Sequence, residues 1–248
     1  ARNGSTVFAA QISPAHTTEF RGEQLLAQVE EVRAITGKEK VNLIGHSHGG
    51  PTVRYVAAVK PQYVASATGV GGTFRGSLVA DKIQSNTASR TIFNILGDYI
   101  VPPLIAWAEG RPDMPLSFDA SMVSLSEKGS AQFNQKYPTS ALASDCNKSG
   151  AKVENGIYYY SWGGVAQTTN LLDIDTILMQ LGPLAYGNKD NDGMVGRCST
   201  HFGHVIRDNY NLNHTDLANM LFGLKGIFAQ DPVALFRQHA NRLKLQGL

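Results

Sequence analysis

The chain has 248 residues, 42% of them hydrophobic, enough to bury one core of α/β size. Its 22 basic and 20 acidic residues nearly cancel, and the formal charge of +2 excludes the strongly basic footprint of a nucleic-acid binder. No apolar run reaches the roughly 18 residues of a spanning helix, and no charged segment followed by an apolar one opens the chain as a leader would.

In chain order, ARNGSTVFAAQIS predicts the end of a helix, a turn at Gly4 and a strand through Val7 and Ala10. TEFRGEQLLAQVEEVRAITGKEK places Leu25, Leu26, Val29, Val32 and Ile35 on one face of an amphipathic helix that ends near Gly37. KVNLIG then predicts a short buried strand, GGPTVRYVAAVKP a helix carrying Val53, Val56, Ala57 and Val59, and VASATGVGG a further strand. Strands alternating with helices predict an α/β class fold, a mostly parallel sheet covered on both faces. With no repeat, low-complexity tract or linker to divide it, the chain 1–248 reads as a single domain.

Between the second strand and the second helix stands VNLIGHSHGGP, residues 41–51, a Gly-x-Ser-x-Gly frame around Ser47. A serine on a tight strand-to-helix turn needs small neighbours, so Gly45 and Gly49 are expected to sit where a Cβ would collide. Such a turn lifts the hydroxyl above the carboxyl edge of the sheet. It also aims the first amide of the next helix, that of His48, at an incoming carbonyl oxygen.

A nucleophilic serine needs a base and an acid, which in this chain order follow it as Asp or Glu and then His. The downstream histidines are His201, His204, His214 and His239. His239, in VALFRQHANRLK, reads as a surface or capping residue of a terminal helix, whereas His214, in NYNLNHTDLANM, stands at a loop-to-helix entry beside the sheet edge. The turn KDNDGMVG offers Asp190 and Asp192, which the residues alone leave tied.

VNLIGHSHGGPTVRYVAAVKP, with FRGEQLLAQVEEV, FNQKYP, YYYSWGG, NDGMVGRCSTHFGHVIRDNYNLNH and RQHANRLK, resembles the secreted triacylglycerol lipases of Pseudomonas and Burkholderia along nearly the whole chain. The resemblance implies an α/β-hydrolase fold with a helical lid, and Ser47, Asp192 and His214 as nucleophile, acid and base of a Ser-His-Asp acyl transfer on long-chain acylglycerols at a lipid–water interface. It further implies a structural Ca2+ held by Asp173, Asp216 and the carbonyls of Met220 and Leu224, a disulfide between Cys146 and Cys198, export to an oxidising compartment and a dedicated folding chaperone. Met220 stands where several relatives have glutamine, a change tolerable at a main-chain ligand.

RTIFNILGDYIVPPLIAWAEGRP is unusually apolar and broken by Pro102 and Pro103, and by its place in the resemblance it is the lid, segment 90–113. One feature departs from the family. Nothing in residues 1–40 matches the His-Gly motif that follows its first strand and supplies a second oxyanion amide, so a longer chain is expected to precede Ala1. Two competing readings are a lidless carboxylesterase or polyester depolymerase with the same triad, and a non-catalytic fragment or binding protein.

Overall fold

The computed structural model describes residues 4–85, 87, 90, 91, 114–170, 176–220 and 223–248. Helix α1, Thr18–Thr36, begins where the Thr17 side chain caps the Phe20 N–H and ends at Gly37 in the left-handed conformation, φ 66°. It buries Leu25, Leu26 and Val29, while Ile35, at the end of the predicted stripe, stands in solvent. Strand β1, Val41–His46, runs into α2, Gly49–Val59, and β2, Val64–Val70, follows, as the alternating pattern predicts. Beyond it lie α3, Leu78–Gln84; α4, Phe118–Leu125; and α5, Glu127–Lys136. A two-residue strand β3, Val153–Glu154, turns at Asn155-Gly156, both at positive φ, into β4, Ile157–Gly164. The short helices α6, Thr176–Met179, and α7, Leu181–Tyr186, precede β5, His204–Tyr210, and α8, Pro232–Leu245, closes the chain.

The sheet order is β1-β2-β4-β3, with β5 also on β4, and every pair except the β3–β4 hairpin is parallel. Helices α1 and α2 cover one face through the cluster of Leu25, Val29, Leu43, Val53, Val56 and Ala67. Helix α8 covers the other, where Phe236 meets Trp162 edge-on and His239 reaches Thr68 at 2.9 Å. Parallel registers pair His46 with Val70 and Val70 with Trp162, so the carboxyl ends of β1, β2 and β4 form one edge. Loops at that edge of an open parallel sheet are where such folds build sites.

The expected strand through Val7 and Ala10 is not formed. Residues 5–13 have no ladder partner among the described residues, and a strand without a ladder has no place for its backbone groups. Side chains of α1 take that role: Gln11 N–H donates to Gln28 Oε1 at 2.9 Å, Gln28 Nε2 donates back to Gln11 O at 2.7 Å, and Ser13 N–H donates to Gln24 Oε1 at 2.8 Å. Val7 is left 66% exposed. The predicted turn at Gly4 is present, with φ 86°, and the helix end before it lies outside the described residues. So does the lid segment 90–113, apart from Arg90 and Thr91, which are helical.

Candidate active site

Ser47 joins β1 to α2 with φ 55°, a left-handed backbone that costs a residue with a Cβ about 1–2 kcal/mol. Hydrogen bonds hold it there: Ser47 N–H donates to Val70 O at 3.0 Å, and Ser47 O accepts from Gly50 N–H at 3.0 Å and from Thr73 N–H at 3.4 Å. A Cβ on Gly45 would collide with the carbonyl of Gly49, which bears out the expectation for the first glycine of the frame. The expectation for the second needs correction. A Cβ on Gly49 meets nothing within 4 Å, and the crowded position is Gly50, where it would lie 2.9 Å from Gly72 Cα.

Burial and direction distinguish the two candidate acids. Asp192 is fully buried, and its Oδ1 accepts the N–H groups of Met194 at 3.1 Å and Val195 at 2.8 Å, leaving Oδ2 for His214 Nδ1 at 2.8 Å. Asp190 points away into solvent and pairs with Arg197 at 2.9 Å. His214, 6% exposed, follows β5 on the loop before Asp216, and its N–H donates to Asp192 O at 2.8 Å. Its Nε2 lies 2.8 Å from Ser47 Oγ. Gly71, φ 54°, closes the far side, where a Cβ would stand 3.3 Å from Asp192 Oδ2 and 3.5 Å from His214 Nδ1. Hydroxyl, imidazole and carboxylate thus form one continuous hydrogen-bonded line, an arrangement able to generate a nucleophilic alkoxide and stabilise the imidazolium that results.

His48 is the residue before α2, so its amide stands at the positive end of that helix, and it has no hydrogen-bond partner among the described residues. The imidazole of His48 is buried between Thr18 Oγ1, 2.8 Å from Nε2, and Ser121 Oγ, 3.2 Å from Nδ1. Burial, reinforced by the Arg21 cation, holds this ring neutral well below the usual histidine range.

The other histidines make contacts of their own. His239 is not a surface or capping residue: it is 1% exposed, between Thr68, Trp162 and Tyr160, and burial followed by repulsion from Arg242 pushes it down to about 4. Its helix packs on the sheet with that side inward. His201 bonds Asp208 at 2.8 Å, and His204 on β5 is exposed. His46, the residue before Ser47, places Nε2 2.8 Å from the carbonyl of His214, with the two ring centres 4.7 Å apart. Burial pushes His46 down to about 3, with His214 adding to the effect. Only the Gly-x-Ser frame itself hinted at this residue.

Cys146 and Cys198 are joined in a disulfide, Cα atoms 5.3 Å apart and 52 residues apart in sequence. Of the expected calcium ligands, Asp173 lies outside the described residues. Asp216 is 2% exposed and its Oδ2 accepts the Asn213 N–H at 3.3 Å; Met220 and Leu224 have exposed side chains. Among the described residues no three His, Cys, Asp or Glu side chains cluster as a metal site. A buried carboxylate with main-chain oxygens is nonetheless a donor set that suits a hard cation.

The α/β-hydrolase fold family matches residues 8–100. A triacylglycerol lipase of Vibrio cholerae is 48% identical over 253 residues, an alignment spanning 100% of this chain and 80% of that protein. One from Burkholderia plantarii is 38% identical over 288 residues, spanning 99% of this chain and 78% of that protein. The crystal structure of Staphylococcus hyicus lipase shares the fold at a TM-score of 0.63 and 14% identity, over 98% of this chain and 86% of that one. The protein is an ester hydrolase of α/β-hydrolase fold. It belongs to the family of bacterial triacylglycerol lipases.

Proposed function

We propose that the protein hydrolyses long-chain acylglycerol esters at a lipid–water interface through an acyl-enzyme on Ser47. His214 Nε2 takes the hydroxyl proton as Ser47 Oγ attacks the ester carbonyl, and Asp192 orients the ring through Nδ1 and stabilises its cation. The tetrahedral oxyanion forms in front of the His48 amide at the start of α2. Collapse breaks the ester C–O bond, and the proton on Nε2 leaves with the alcohol. Water, deprotonated by His214, then releases the fatty acid by the same steps in reverse roles.

The observation that carries this reading is the 2.8 Å spacing at both joints of Asp192–His214–Ser47, supplied by three loops of one sheet edge. A Ca2+ held by Asp173, Asp216 and the carbonyls of Met220 and Leu224 would pin the loop that bears His214, with no part in the bond changes. Export to an oxidising compartment is supported by the disulfide, and no helix among the described residues is long and apolar enough to cross a membrane. A cover formed by segment 90–113 would favour aggregated over dissolved esters, which separates a lipase from a lidless carboxylesterase. The test is a rate comparison between a triacylglycerol emulsion and a dissolved short-chain ester. Turnover should rise sharply once substrate exceeds its solubility. Equal rates per accessible ester, or none on the emulsion, would replace lipase by esterase.

A further inference from the structure

We propose that His46 is a positioning residue for the base, its Nε2–H fastening the main chain of His214 to the strand end that carries Ser47. The proposal rests on Ser47 and His214 being nucleophile and base, and it adds a residue that acts through His214 without touching substrate.

The donor is fixed by chemistry. A carbonyl oxygen can only accept, so the 2.8 Å contact between His46 Nε2 and His214 O places a proton on Nε2. His46 is the last residue of β1 and Ser47 the next, and β1 is anchored by its parallel ladder to β2. The bond therefore runs between the rigid support of the nucleophile and a loop 168 residues away.

Four bonds then define the place of His214. Its N–H goes to Asp192 O, its Nδ1 to Asp192 Oδ2, its Nε2 faces Ser47 Oγ and its carbonyl accepts from His46. The first two fix the base only relative to the acid loop, about which it can still swing. The bond from His46 supplies a second attachment, on the nucleophile side, and the His46 ring, 4.7 Å away and tilted by 42°, limits rotation of the His214 ring. Two anchor points from different elements set the Nε2–Oγ separation, and a displacement near 1 Å there costs on the order of 10² in rate.

Three variants of the purified protein separate the donor from the ring: H46F keeps a ring without N–H, H46Q keeps an N–H donor without a ring, and H46A keeps neither. On a dissolved p-nitrophenyl ester, H46F and H46A should lose about 10- to 100-fold in kcat with little change in KM, and inactivation by a serine-reactive phosphonate should slow in parallel. H46Q should recover most of the loss. Should H46A not fold, the H46F and H46Q pair still decides. Wild-type kcat in H46F, no recovery in H46Q, or a loss confined to KM would each overturn the proposal. A wild-type protein inert to both ester and phosphonate would instead overturn the assignment of Ser47 and His214.

Discussion

Asp192 Oδ2 stands 2.8 Å from His214 Nδ1, and the main chains of the two residues are joined by a second 2.8 Å bond from His214 N–H to Asp192 O. The two residues are therefore tied to each other at two points, through side chain and main chain. Asp192→Asn should lower kcat by about 10⁴, because the amide favours the wrong tautomer of the ring. Asp190→Asn removes only an exposed partner of Arg197 and should stay within about threefold of wild type. Steady-state kinetics on a dissolved ester checks both, and a larger loss in the Asp190 variant would reverse the assignment.

The two glycines of the Gly-x-Ser-x-Gly frame should behave differently. Gly45→Ala drives a methyl group into the Gly49 carbonyl and should cost stability and soluble yield together. Gly49→Ala meets open space and should melt within a few degrees of wild type. Thermal denaturation of the two variants tests this, and equal destabilisation would contradict it.

The disulfide closes a loop of 52 residues, for which the chain-entropy model gives about 4 kcal/mol. Cys198 is six positions beyond Asp192, so its loss should also loosen the acid loop. Replacing both cysteines by serine is expected to lower the denaturation midpoint and, to a smaller degree, kcat. An unchanged midpoint would remove the bridge from the stability account.

Burial of His46 and His239 gives stability a defined pH dependence. Their folded values, about 3 and about 4, lie below the ordinary 6.5, so between about 6.5 and 4 the unfolded chain binds protons that the folded chain does not. Stability is then fully present above 6.5 and declines as pH falls, by up to about 1.4 kcal/mol per pH unit for each ring. His239→Gln should flatten the slope of unfolding free energy against pH by close to one proton in that window. A slope equal to wild type would show that the ring is not held neutral.

Chelation should lower both melting temperature and activity if Asp216 belongs to a Ca2+ site. A cation a hundredfold above its dissociation constant adds about 2.7 kcal/mol to the folded state. Asp216→Ala should abolish the response to added calcium, and a chelated protein unchanged in both measurements would count against the site.

The α/β pattern was legible from α1 to β2 because period and punctuation agree there: Thr17 caps, Gly37 stops, and Val41–His46 and Val64–Val70 are short runs between helices, although β1 leaves Ile44 40% exposed where a buried strand is expected. Ser47 was legible because the frame around it is local. What the residues alone misread, left open or did not single out depends on distant partners. The Val7–Ala10 stretch has strand composition, but a strand exists only through a ladder, and glutamines of α1 hold this backbone instead. Asp190 and Asp192 are equivalent in a turn until one of them faces a histidine 22 residues on. His239 shares its helix with Arg237 and Arg242, and only packing on Trp162 and Tyr160 turns it inward. His46 acts on a carbonyl, a partner that carries no side-chain signature at all.

Ser47 as the nucleophile is tested most directly by active-site titration with a serine-reactive phosphonate, followed by mapping of the modified peptide. The expected result is one equivalent bound per chain on Ser47, complete loss of ester hydrolysis, and no labelling of Ser47→Ala, which should keep wild-type melting behaviour. Modification of a different residue, or near wild-type turnover by a folded Ser47→Ala protein, would contradict it.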